Sequence, residues 1–136
     1  MKDETIYLDH NATTPVRPEV LEAMLPFLRE DFGNPNSAYR LGQRARKAVE
    51  EARARVAALI GASDEEIVFT SCGSEADCLA IAGGAWASFD ESQGKRKKIV
   101  SSQIEHDAVR GIVGSLRRRG FDAAAAGPQA DGIVPA

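Results

Sequence analysis

Apolar residues along this chain recur at helical spacing through its first half and gather into short continuous runs between helical stretches in its second. Ile6, Tyr7 and Leu8 form a brief apolar run. It closes on Asp9, His10 and Asn11 and then Thr13, Thr14 and Pro15, the composition of an extended piece entering a turn. Pro18 suits the first turn of a helix, and Val20, Leu21, Met24, Leu25 and Leu28 follow at the three-to-four spacing of a buried face. Pro26 lies inside that stretch and predicts a kink or an early end. Phe32, Gly33, Asn34, Pro35, Asn36 and Ser37 are a cluster of turn formers, with Asn36 or Ser37 placed to cap the next helix. Over residues 38–60, Leu41, Ala45, Val49, Ala52, Val56 and Leu59 keep one apolar stripe among charged neighbours, and Gly61 follows as a C-cap should.

Ile67, Val68 and Phe69 are a continuous apolar run, the signature of a strand covered on both faces. Thr70, Ser71, Cys72 and Gly73 then turn the chain, and residues 74–86 carry helical spacing through Leu79, Ala82 and Trp86. A polar connection over residues 92–98 leads to a short strand at 99–101, a helix at about 106–119 closed by Gly120, and a weak strand at 121–125. Asp131 and Gly132 predict a final turn. Two helices followed by strand, helix, strand, helix, strand describe an α/β protein with a parallel sheet and right-handed crossovers. Such a sheet needs both faces covered, and three strands leave it incomplete.

Composition changes this picture little. The 136 residues are 43% hydrophobic and 27% charged, the figures of an ordinary globular domain. A formal net charge of −3 argues against a nucleic-acid module, and the basic runs at residues 95–98 and 117–119 read as solvated loop or helix ends. No apolar run approaches the roughly 18 residues of a membrane span, and residues 1–11 lack the basic and apolar segments of a secretory signal, so a cytoplasmic location is expected. Cys72 and Cys78 read as free, packed thiols rather than a disulfide, and no metal site is expected.

Ligands of open α/β sheets bind beyond the carboxyl ends of the strands. Two positions there hold candidate chemistry. At Cys72, Gly73 and Ser74 a glycine turn opens a helix, where unbonded amides, the helix dipole and the Ser74 hydroxyl suit a phosphate. Ser74 with Asp77 three residues on equally forms a capping box that needs no ligand. His106 stands at the start of the next helix. The dipole there disfavours an imidazolium, which suits stacking on an aromatic ligand or accepting a proton, or else simple capping. Asn11, Thr13 and Thr14 can donate hydrogen bonds to a ligand or serve the turn alone.

The strings IYLDHNATTPV, PEVLEAMLPFL, FGNPNSAYRLGQRAR, EEIVFTSCGSEAD and IEHDAV, in this order, resemble the cysteine desulfurases of the NifS/IscS type. These are class V aminotransferases with the fold-type I pyridoxal phosphate architecture. The resemblance implies that residues 1–136 are the N-terminal segment and first part of a pyridoxal phosphate-binding large domain. It makes Gly73 and Ser74 the holders of the pyridoxal 5'-phosphate phosphate group, His106 the histidine that stacks on the ring and serves proton transfer, and Asn11 a residue near substrate. Ser74 stands where the family usually has threonine, and Cys78 where it has asparagine or serine.

The implied reaction converts L-cysteine to L-alanine, with the cofactor as electron sink and a mobile-loop cysteine thiolate that takes the sulfur as an enzyme persulfide. The implied partners are a second copy of the chain in a homodimer and an iron–sulfur scaffold or other sulfur acceptor. Lys2, Lys47, Lys95, Lys97 and Lys98 do not match the family's cofactor lysine, and neither cysteine matches its nucleophile. The chain by itself is therefore expected not to desulfurate cysteine. The alternatives are a selenocysteine lyase, another class V aminotransferase, or a noncatalytic remnant that serves as a binding or dimerisation module.

Overall fold

The structure, a computed structural model, describes residues 6–135, and Lys2 and Ala136 lie outside the described residues. The chain divides into two compact units between Ile67 and Val68. In the first, Tyr7 ties the opening turn: its single hydroxyl proton is shared between the Asp9 carbonyl at 2.9 Å and the Thr13 carbonyl at 3.0 Å. Helix α1 (Pro18–Arg29) starts on Pro18 and runs through Pro26 without ending there. The Pro26 carbonyl accepts the amides of Glu30 and Asp31, both at 2.9 Å, so the helix stops one turn later than the proline predicts. Its apolar face exists, but none of its residues is buried.

Helix α2 (Arg40–Ile60) ends on Gly61 at φ 70°, the left-handed C-cap its position predicts. Its N-cap is Tyr39, not Asn36 or Ser37. The loop ahead of it instead closes on itself, the Asn34 carboxamide oxygen accepting the Asn36 amide at 2.9 Å. That loop lies backbone to backbone against α2. A Cβ on Gly33 would meet the Leu41 carbonyl oxygen at 2.5 Å, and one on Gly42 the Asn34 and Ser37 carbonyl oxygens at 2.5 Å. Along the predicted stripe Ala45 is buried, whereas Leu59 is 84% exposed. Periodicity identifies the apolar face of a helix and is silent on whether anything covers it.

The expected strand at residues 67–69 does not form. Ile67 is extended (φ −96°, ψ 124°), but its carbonyl accepts from the Arg53 guanidinium rather than from a neighbouring strand, and Val68 is 63% exposed. A strand needs a ladder partner as well as the right residues. Among the described residues the sheet has two strands, β1 (Lys98–Ser102) and β2 (Asp122–Ala126), parallel and in register from Lys98 opposite Asp122 to Ser102 opposite Ala126. This remains the expected α/β order, helices followed by alternating strand and helix, with a small partial sheet.

In the second unit the helical stretch after the glycine turn is longer than its sequence predicts. Helix α3 (Gly73–Cys78) passes through a π-helical turn (Leu79–Gly83) into α4 (Gly84–Glu91). Helix α5 (Asp107–Arg118) connects the strands. Trp86 and Phe121 meet edge to face at 4.8 Å, and Phe89 lies 5.6 Å from each ring. With Leu116, 2% exposed, and Phe121, 5% exposed, these rings form the core that joins α4, α5 and the start of β2.

Candidate functional site

The sequence places Ser74 as a helix cap, but α3 begins two residues earlier, with Cys72 as N-cap and Gly73 first in the helix. The predicted capping box of Ser74 and Asp77 is therefore not formed. The first intrahelical bond runs from the Ala76 amide to the Cys72 carbonyl at 3.1 Å, so the amides of Gly73, Ser74 and Glu75 precede the hydrogen-bond ladder. Nothing within 4 Å would obstruct a Cβ on Gly73, so the space over this turn is open.

Glu75 braces the turn from within. Its Oε2 accepts the Ser71 amide at 2.6 Å and the Ser71 hydroxyl at 2.6 Å. Those bonds, the hydroxyl's first, hold the Glu75 carboxyl below its ordinary value. The Cys72 thiol is also lowered, first by the Glu75 amide and then by the Ser71 hydroxyl, whose oxygen lies 3.8 Å from the sulfur. Both cysteines are free and exposed, which corrects the expectation that they pack inside. The thiol's acidification comes from a helix start supplying donors to a sulfur.

His106 follows β1 across a short turn in which the Ser102 hydroxyl donates to Glu105 at 2.8 Å. It is the N-cap of α5, and its Nδ1 accepts the Ala108 amide at 3.2 Å. While that bond holds, the ring proton sits on Nε2, leaving an N–H to offer outward. A cleft of about 500 Å³ runs between the α3–α4 stretch and α5, lined by Ser74, Cys78, Trp86, Asp107, Ala108 and Arg119. The two helix starts singled out in the sequence thus line a common cleft, with His106 immediately preceding its wall. Asn11 belongs to the first unit, in a turn where the Ala12 amide donates to the Asp9 carbonyl at 3.0 Å.

The family described as Aminotransferase class-V matches residues 6–135. The chain belongs to that family. The cysteine desulfurase IscS of Dictyoglomus turgidum is 48% identical over 122 residues, covering 90% of this chain and 30% of the relative. That of Methanosarcina thermophila is 46% identical over 121 residues, covering 89% and 29%. Among solved structures, a NifS-like protein superposes with a TM-score of 0.84 at 38% identity, over 96% of this chain and 35% of its own. SspA in complex with cysteine superposes with a TM-score of 0.83 at 37% identity, over 96% of this chain and 37% of its own. The chain therefore spans about a third of the length of the proteins it matches.

Class-V aminotransferases are pyridoxal phosphate enzymes, and the residues at the α3 start fit the phosphate end of that cofactor. The Gly73 amide ahead of the helix ladder, the Ser74 hydroxyl and the open space over Gly73 are donors and clearance that suit an anion at a helix start. The Glu75–Ser71 brace was not singled out in the sequence. Its signal was present in the capping-box spacing of Cys72 and Glu75, with cysteine in the place of the usual serine.

Proposed function

We propose that this chain supplies the phosphate cradle and ring-stacking histidine of a pyridoxal 5'-phosphate-dependent cysteine desulfurase. The enzyme would convert L-cysteine to L-alanine and pass the sulfur, as a persulfide, toward iron–sulfur cluster assembly or another acceptor protein. The observation that carries this reading is the cleft lined by Ser74 at the start of α3 and by Asp107 and Ala108 at the start of α5, directly after His106. Gly73 and Ser74 would hold the cofactor phosphate through backbone amides and a hydroxyl, and His106 would cover the ring and hold a proton on Nε2. The cofactor, when bound, supplies an electron sink. Asn11 is assigned to the substrate side by its motif alone.

Exposed surface supports a homodimer and further covering chain. The chain exposes 11083 Å², whereas two compact globules of half its mass each would expose about 8,300 Å². Ile6, Leu8, Leu28 and Phe32 are among the large apolar side chains left uncovered. Among the described residues no helix is long and apolar enough to cross a membrane, and a cytoplasmic location is part of the proposal.

The test is a comparison of pyridoxal 5'-phosphate with pyridoxal, followed by quenching of Trp86, which lines the cleft. Tighter binding of the phosphorylated form, weakened about ten- to a hundredfold in Ser74→Ala, is the expected result for loss of a hydrogen bond to a charged group. Equal affinity for the two forms would remove the phosphate cradle from the account. With cofactor and L-cysteine supplied, the chain by itself releases no sulfide.

A further inference from the structure

The proposed cradle contains an apparent contradiction. A glutamate stands in the first turn of the helix whose amides are to hold a phosphate, and two anions at one helix start repel. The geometry resolves this. Glu75 is the third helical residue, the position from which a capping-box carboxylate usually returns to the N-cap amide. Here it reaches one residue further back, to Ser71, and both Ser71 donors bond the same oxygen, Oε2, at 2.6 Å. The Cys72 amide, the usual destination, is bypassed. The chain between the two clamped residues consists of Cys72, Gly73 and Ser74.

We infer that Glu75 is a positioning residue for the cradle: its carboxylate latches Ser71 and so fixes the intervening Cys72–Gly73–Ser74 turn at the helix start that is to receive a phosphate. The inference rests on the cradle reading proposed above. The latch acts twice. It closes a turn of five residues through two short charge-assisted bonds, and glycine inside that turn would otherwise leave it conformationally loose. It also spends the carboxylate's charge on two donors, so less of it faces an incoming anion. Thr70, whose hydroxyl donates to the Cys72 carbonyl at 3.1 Å, steadies the same turn from the other side.

The test measures dissociation constants of pyridoxal 5'-phosphate and of pyridoxal for the full chain, with Glu75→Ala, Glu75→Gln and Ser71→Ala beside the native protein. Circular dichroism checks that each variant is folded. A positioning role predicts that Glu75→Ala weakens pyridoxal 5'-phosphate at least tenfold and pyridoxal less than twofold. Ser71→Ala, which keeps the amide arm, should fall between, and Glu75→Gln, whose amide oxygen still accepts from Ser71, should recover part of the loss. A merely structural contribution would weaken both ligands alike, and that result overturns the inference. So does a Glu75→Ala variant with native affinity for pyridoxal 5'-phosphate; because Ser71→Ala leaves the carboxylate in place, an unfolded Glu75→Ala still leaves this comparison decisive. If the native chain itself does not distinguish pyridoxal 5'-phosphate from pyridoxal, the cradle fails and the latch with it; if the native chain does and the variants behave like it, the latch alone fails.

Discussion

His106 can be a helix cap, a cofactor-stacking ring, or both, and substitution separates the two. The Nδ1 bond to the Ala108 amide, at 3.2 Å and exposed, is an ordinary cap. Its removal in His106→Ala should cost about 0.5–1 kcal/mol, the lower half of the measured range for lost caps. For a chain of this size that lowers Tm by roughly 2–4 °C. Asparagine is among the strongest N-cap residues, so His106→Asn should restore the native Tm. It has no ring to stack. An aromatic stacking pair contributes about 0.5–1.5 kcal/mol, so both variants should bind pyridoxal 5'-phosphate roughly two- to tenfold more weakly. Thermal melts followed by circular dichroism, with cofactor titrations on the same samples, separate the roles. A His106→Ala protein that melts with the native chain would refute the cap, and a His106→Asn protein that binds the cofactor as the native chain does would refute the stacking role.

Three further outcomes follow from the geometry. Gly42→Ala gains roughly 1 kcal/mol of helix propensity but places a Cβ 2.5 Å from two carbonyl oxygens, so chemical denaturation should show a net loss of about 1–2 kcal/mol. Glu66 and Glu75 are both held below the ordinary glutamate value of 4.5, Glu66 by the Ser63 amide and then its hydroxyl, Glu75 by the Ser71 hydroxyl and then its amide. A lowered folded value means this stabilisation is fully present above 4.5 and is lost as pH falls through the folded values, so Ser63→Ala and Ser71→Ala should flatten the acid limb of a stability-against-pH curve. Cys72 lies below the ordinary thiol value of 9.0, held there first by the Glu75 amide, and its alkylation by iodoacetamide should begin at lower pH than that of a free cysteine.

What the sequence reveals of this fold is what local chemistry decides. Helix α2 and its Gly61 cap, the α5 start at His106 and the strand at Lys98–Ser102 follow from spacing and from cap and turn residues within a few positions. The strand expected at Ile67, Val68 and Phe69 fails because a ladder depends on a neighbour that no local pattern specifies, although Ile67 is extended as predicted. The exposed faces of α1 and of Leu59 fail for the same reason: an apolar stripe announces a partner without providing one. Pro26 misleads because its carbonyl, at the right distance from the end, takes the two amides that close the helix. Near the proposed site, the helix starts at Gly73 and His106 were legible from their positions after turns and strands. The Glu75 brace was not, because cysteine at the N-cap hides a spacing that serine would display.

The central claim is that one cleft receives the cofactor's phosphate at Gly73 and Ser74 and its ring at His106. Two-dimensional ¹H–¹⁵N spectra of the chain titrated with pyridoxal 5'-phosphate test it directly. The account predicts that the amides of Gly73 and Ser74 and the ring nitrogens of His106 move together along one saturating curve. Shifts confined to the lysines, or none at these three residues, would contradict it.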